Sequence, residues 1–131
     1  MDQMKILLIV DHVLLGSALR LWLEEKLFIQ VVGEVTELGA LLATVEVTLP
    51  DILLLDWEIS RAKLKGSIHQ LLQTLRIRFP QLRVIALSLH PELKKVALEA
   101  GVDAFVTKID LPDYLLDALR RFIKESQATT G

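Results

Sequence analysis

Ile52-Leu53-Leu54-Leu55-Asp56 is an aliphatic run closed by a carboxylate, and the chain repeats that construction elsewhere. Ile6-Leu7-Leu8-Ile9-Val10 runs into Asp11, Val84-Ile85-Ala86-Leu87 into Ser88, and Ala104-Phe105-Val106-Thr107 into Lys108. Apolar runs of this length without alternation describe strands buried on both faces, the environment inside a parallel sheet. The segments between them are amphipathic at three- and four-residue steps, so helices must cover the sheet on each side. In open sheets of that kind, ligands bind beyond the carboxyl ends of the strands. The polar groups therefore gather at one edge. Two carboxylates, a hydroxyl and an ammonium are a set suited to a metal ion and a phosphoryl group.

Outward from that core the alternation is regular. Strand-length runs cover residues 5–10, 29–32, 52–56, 83–87 and 102–107. The first helix is marked by Leu14, Leu15, Ala18, Leu19, Trp22, Leu23 and Leu27, with Arg20, Glu24, Glu25 and Lys26 between them. Gly33 closes the second strand, Thr36 offers a cap to a helix burying Leu38, Leu41, Leu42 and Val45, and Pro50 ends it. Residues 57–66 break the pattern as a loop, and a helix from about Ser67 buries Ile68, Leu71, Leu72 and Leu75 before Phe79-Pro80. Pro91 sits in the first turn of the next helix and Gly101 stops it. Asp110 and Pro112 open a last helix through Tyr114, Leu115, Ala118, Leu119, Phe122 and Ile123. With right-handed crossovers this gives an α/β fold, a five-stranded parallel doubly wound sheet of flavodoxin-like order 2-1-3-4-5. Residues 1–125 make that domain, and 126–131 a small, polar tail or linker stub.

Composition narrows the function. At 131 residues and 52% hydrophobic content, one domain with an ample core is expected. Charges of both signs are interspersed and sum to -2, with no basic stripe to attract a phosphate backbone, so direct nucleic acid binding by this chain is not expected. The absence of cysteine rules out a disulfide framework and a thiolate metal site, as suits a reducing cytosol. No apolar stretch reaches bilayer-spanning length, and Met1-Asp2-Gln3-Met4 does not read as a signal peptide; the expected location is cytoplasmic, with no membrane partner. His12, His69 and His90 lack metal-ligand spacing.

Lys5-Ile-Leu-Leu-Ile-Val-Asp11-His12, Pro50-Asp-Ile-Leu-Leu-Leu-Asp56, Val84-Ile-Ala-Leu-Ser88 and Ala100-Gly-Val-Asp-Ala-Phe-Val-Thr-Lys108 together resemble the receiver domain of two-component response regulators, over about residues 4–124. His12, Ser88-Leu-His90 and the lack of a proline after Lys108 are most similar to the branch that carries a helix-turn-helix DNA-binding output domain. The resemblance implies that Asp56 accepts a phosphoryl group from a sensor histidine kinase or phosphotransfer protein, in phosphorelay signalling that serves transcription regulation. It implies no enzyme activity beyond magnesium-dependent self-phosphorylation and dephosphorylation. It also implies Mg2+ held by Asp11, Asp56 and the Glu58 backbone carbonyl, beside the Lys108 ammonium. The chemistry is coherent, since a carboxylate attacking an anionic phosphoryl group needs positive charge at the equatorial oxygens.

The same resemblance implies a switch. Ser88 moves toward the phosphoryl oxygens, Phe105 turns inward, and the face of the fourth helix, fifth strand and last helix is reshaped. Leu111, Tyr114, Leu115 and Lys94 or Lys95 would contact a partner there, a second copy of the chain included. Leu14 and Leu15 would meet the kinase.

The departures from the family pattern carry weight. Val10 stands where the first strand usually ends in an additional acid, which predicts weakened Mg2+ binding, and Ile59-Ser60 replaces the usual methionine-proline pair. Trp57 is expected to cover the site or pack on the loop, and the Glu58 side chain to lie along an exposed loop without fixed geometry. Taken singly, Asp56 is a strand-end acid, Lys108 a surface lysine, Ser88 a turn former and Phe105 a core residue. Two rivals follow. An enzyme on the same fold needs a phosphate-binding serine and threonine loop, a glycine-rich turn where only Gly16 stands, or a second aspartate at the position of Glu58. A degenerate pseudo-receiver would act as a phosphorylation-independent interaction module, and Val10 and Ser60 point toward it.

Overall fold

The computed structural model describes residues 3–10, 13–26, 28–58 and 68–130. Strands β1 (Met4–Ile9), β2 (Ile29–Val35), β3 (Ile52–Asp56), β4 (Arg83–Ser88) and β5 (Ala104–Thr107) alternate with helices α1 (Val13–Glu24), α2 (Leu41–Thr48), α3 (Ile68–Arg78), α4 (Lys94–Ala100) and α5 (Asp113–Thr130). All pairings are parallel and the order is β2-β1-β3-β4-β5, as the sequence pattern predicts. The chain moves outward from β1 to β2 and then restarts on the other side at β3. The topological switch therefore lies between β1 and β3, with Asp56 on its rim.

Two apolar layers follow from the two-residue periodicity of strands. Ile6, Leu8, Leu54, Ile85 and Leu87 face α1 and α5 through Leu19, Leu23, Leu115, Leu119 and Phe122. Leu7, Ile9, Leu53, Leu55, Val84 and Ala86 face α2, α3 and α4 through Leu41, Val45, Leu72, Leu75, Ala97 and Ala100. This is why β1, β3 and β4 read as unbroken apolar runs.

Several local expectations change. β2 continues past Gly33 to Val35, and a register shift that passes over Val32 turns Val35 into the layer facing α2, opposite to Ile29 and Val31. Thr36 does not cap α2; a single 3-10 turn, Leu38–Ala40, leads in, and the N-cap position is Ala40 with no side-chain bond. Leu14 and Ala18 lie on the solvent side of α1, Leu14 being 74% exposed, because Leu15, Leu19, Trp22 and Leu23 already fill the inward stripe. Leu27 is outside the described residues. α5 runs on to Thr130, since no glycine or proline interrupts it before Gly131.

Gly101 ends α4 with φ of 119°, donating back to Ala97 and Leu98 carbonyls. A Cβ there would meet only ordinary contacts on Leu72, so the demand for glycine is a backbone one. Gly101→Ala is expected to lose about 1 kcal/mol of stability. Urea unfolding reads this directly, and an unchanged midpoint would contradict it.

Candidate functional site

The sheet register places the polar residues in a rising staircase. Asp56 pairs with Leu87, so Ser88 stands one residue further along; Ser88 pairs with Thr107, so Lys108 stands one further again. Asp56 is 4% exposed and Ser88 fully buried, so both act in a desolvated setting. Lys108 opens a single 3-10 turn, Lys108–Asp110, and its four-carbon stem spans the intervening strand. Lys108 Nζ reaches Asp56 Oδ2 at 3.0 Å. The Glu58 backbone N–H donates to Asp56 Oδ1 at 3.1 Å. The carboxylate is thus aimed and charge-neutralised by groups from two directions.

The Glu58 side chain is not the unfixed loop group that its sequence position suggested. Trp57 and Glu58 adopt helical backbone directly after β3, which turns the glutamate back over the edge of β4. Its Oε1 accepts the Ser88 hydroxyl at 3.1 Å and the Leu89 N–H at 2.6 Å, and lies 3.9 Å from Lys108 Nζ. The Ser88 oxygen in turn accepts the His90 N–H at 3.0 Å. The sequence signal was present, a glutamate two residues past a strand-end aspartate, but only the helical backbone makes it productive.

A cation fits this donor set. Two carboxylates and one ammonium leave the described groups one negative charge in excess. Glu58 Oε2 is also buried and without a hydrogen-bond partner among the described residues, an atom that a cation would satisfy. Hard carboxylate and carbonyl oxygens are what Mg2+ takes. Among the described residues no three acidic or histidine side chains cluster. Asp11 and His12, together with residues 59–67, lie outside the described residues.

The other sequence candidates separate. Val10 is buried in the layer facing α1, where a Cβ added to Gly16 would come within 2.9 Å of its Cγ2. Trp57 is 1% exposed and belongs to the α2–α4 layer; the loop it was expected to pack on falls in residues outside the described ones. Phe105 is half-buried rather than wholly core, packing against that same layer. It lines a groove of about 460 Å³ with Lys94, Leu98, Tyr114, Asp117 and Arg121. Leu115 faces inward and is fully buried, so it leaves the set of partner-contacting residues, while Tyr114 stays exposed.

Residues 6–120 match the response regulator receiver domain. The chain belongs to that family. It is also similar to the transcriptional activator protein ExaE of Pseudomonas putida, 34% identical over 122 residues that make up 92% of this chain and 55% of that protein. The receiver thus spans about half the length of this curated relative. Among solved structures, the isolated REC domain of RcsB from Salmonella enterica serovar Typhimurium, in the presence of phosphomimetic BeF3-, superposes with a TM-score of 0.77 at 23% identity, covering 94% of this chain and 90% of that one. A LuxR-family two-component response regulator from an Aurantimonas species gives a TM-score of 0.78 at 24% identity over 95% of this receiver and 87% of its own chain. At these identities the likeness is one of fold. Receiver domains are signalling domains of two-component systems. No helix among the described residues is long and apolar enough to cross a membrane.

Proposed function

We propose that this receiver accepts a phosphoryl group on Asp56 from a sensor histidine kinase or phosphotransfer protein, and that the modification switches a transcription-regulating partner or output domain. The observation that carries the reading is the buried Asp56 carboxylate held at 3.0 Å by Lys108. An Asp56 oxygen attacks phosphorus and forms the new O–P bond. The bond from phosphorus to the donor's nitrogen or oxygen breaks, and its electron pair leaves with the donor. Lys108 offsets charge on the transferring oxygens, and the Ser88 hydroxyl donates to one of them on arrival. Mg2+ would be held by Asp11, Asp56 and the Glu58 backbone carbonyl. When bound it would supply Lewis-acid neutralisation of phosphoryl charge, with Val10 leaving its affinity below that of a pocket with one more acid.

Phosphorylation would favour an arrangement in which Phe105 moves with Ser88 and alters the groove between α4 and α5. That face, with Lys94, Leu98 and Tyr114, would take a second copy of the chain. The exposed Leu14 on α1 would take the kinase. The family points to the cytoplasm for this exchange. A second reading, an interaction module that needs no phosphate, draws on Val10, which buries an aliphatic side chain where the family has an acid.

The test separates the two. With Mg2+ and a small acyl phosphate, the protein should gain the mass of one phosphoryl group, and Trp57 emission should shift. Asp56→Asn should abolish both. No mass gain and no response to Mg2+ would reject the phosphoacceptor and leave the second reading.

A further inference from the structure

Glu58 Oε1 sits where three donors converge. The Ser88 hydroxyl is at 3.1 Å, the Leu89 backbone N–H at 2.6 Å and the Lys108 ammonium at 3.9 Å. A hydroxyl, an amide and a cation aimed at one point form an anion seat, and the 2.6 Å contact is in the range of charge-assisted bonds. The seat lies beside Asp56, because Lys108 is shared: its Nζ is 3.0 Å from Asp56 Oδ2 and 3.9 Å from the glutamate. We infer that Glu58 is a built-in occupant of this seat, filling it with the protein's own carboxylate until an incoming phosphoryl group displaces it. The inference deepens the phosphoacceptor reading and rests on it.

Two features support occupancy over coincidence. The Ser88 hydroxyl is fully buried and already committed, accepting from the His90 N–H at 3.0 Å while donating to Glu58, so a new anion can gain that donor only by exchange. Glu58 Oε2 has no hydrogen-bond partner among the described residues, so the carboxylate is seated through one oxygen alone. The side chain as a whole is 30% exposed, so the carboxylate can leave toward solvent, where that buried Oε2 would gain hydration. Activation in this receiver is then an exchange of one anion for another over Ser88 rather than the filling of an empty place.

The experiment uses the whole chain as wild type, Glu58→Gln, Glu58→Ala and Asp56→Asn. Both Glu58 variants keep the backbone carbonyl. In the absence of Mg2+ and phosphodonor, the Leu89 amide proton should resonate downfield in the wild type, move upfield in Glu58→Ala, and move part of the way in Glu58→Gln. The Val84 amide, bonded to Asp103 instead, should hold still. Beryllofluoride with Mg2+, followed by Trp57 emission, should bind Glu58→Ala roughly tenfold more tightly than wild type, the factor expected on removing one charge-assisted competitor. A Leu89 amide unmoved in Glu58→Ala would overturn the inference. Equal or weaker beryllofluoride binding by Glu58→Ala would also overturn it, weaker binding assigning the carboxylate to the cation. If neither wild type nor Glu58→Ala binds beryllofluoride, the phosphoacceptor reading fails, and the seat is judged on the Leu89 amide alone.

Discussion

Replacing Lys108 with alanine is expected to lower the stability of the receiver by about 2 kcal/mol in the absence of divalent cation. The ammonium lies 3.0 Å from a carboxylate that is 4% exposed and 3.9 Å from a second one, so its removal leaves like charges facing each other across a desolvated edge. The loss stays below that of a fully enclosed pair, because Asp56 keeps the Glu58 N–H and the Lys108 side chain is itself 14% exposed. Adding Asp56→Asn should restore most of the stability, since it removes the charge that the lysine balanced. Urea unfolding of the four proteins gives the coupling directly. Mg2+ should shrink the Lys108→Ala defect and leave the double variant unchanged. Additive losses, or a Lys108→Ala protein as stable as wild type, would refute the account.

Leu54→Ala is expected to cost more, about 3 kcal/mol, through the apolar area removed from burial and the cavity left behind. Leu54 is fully buried on the central strand, paired with Leu8 on one side and Ile85 on the other, so the surrounding layer has little freedom to collapse. Against a total stability of about 5–15 kcal/mol for a domain, that is a large fraction. The matched control is Leu14→Ala, the same deletion at a position 74% exposed, which should stay within about 0.5 kcal/mol of wild type. Thermal unfolding of the two variants checks the contrast. A Leu14→Ala loss as large as that of Leu54→Ala would mean that α1 packs differently from the arrangement described.

The sheet was legible because its physics is simple. A strand buried on both faces has no polar residue to spare until it ends, so Ile52 to Leu55 announce both the strand and the edge at which Asp56 emerges. Ser88 was legible for the same reason, whereas Lys108 follows an edge strand, β5, that is buried on one face and half-buried on the other. What escaped the sequence depends on choices a one-dimensional pattern does not encode. Trp57 could go into the core or over the site, and only the turn after β3 decides. The Glu58 carboxylate became part of the site because the same turn is helical, closing a distance that an extended loop would leave open. The fate of Leu14 was hidden because α1 offers more apolar residues than its inward stripe can hold. In β2 the strand runs on, with a register shift past Val32, beyond the glycine that had seemed to mark its end.

The staircase from Asp56 to Ser88 to Lys108 sets which genetic changes the site can absorb. Each step is a one-residue offset in a parallel ladder, so exchanging a side chain alters one group and leaves the others where they are. Inserting or deleting one residue within β4 would instead turn every following side chain to the opposite face, taking Ser88 from its place and putting buried leucine and valine toward the wrong layer. Substitution at Val10, Glu58 or Phe105 is therefore open to this receiver as a way of adjusting its response, whereas a change in strand length is closed to it.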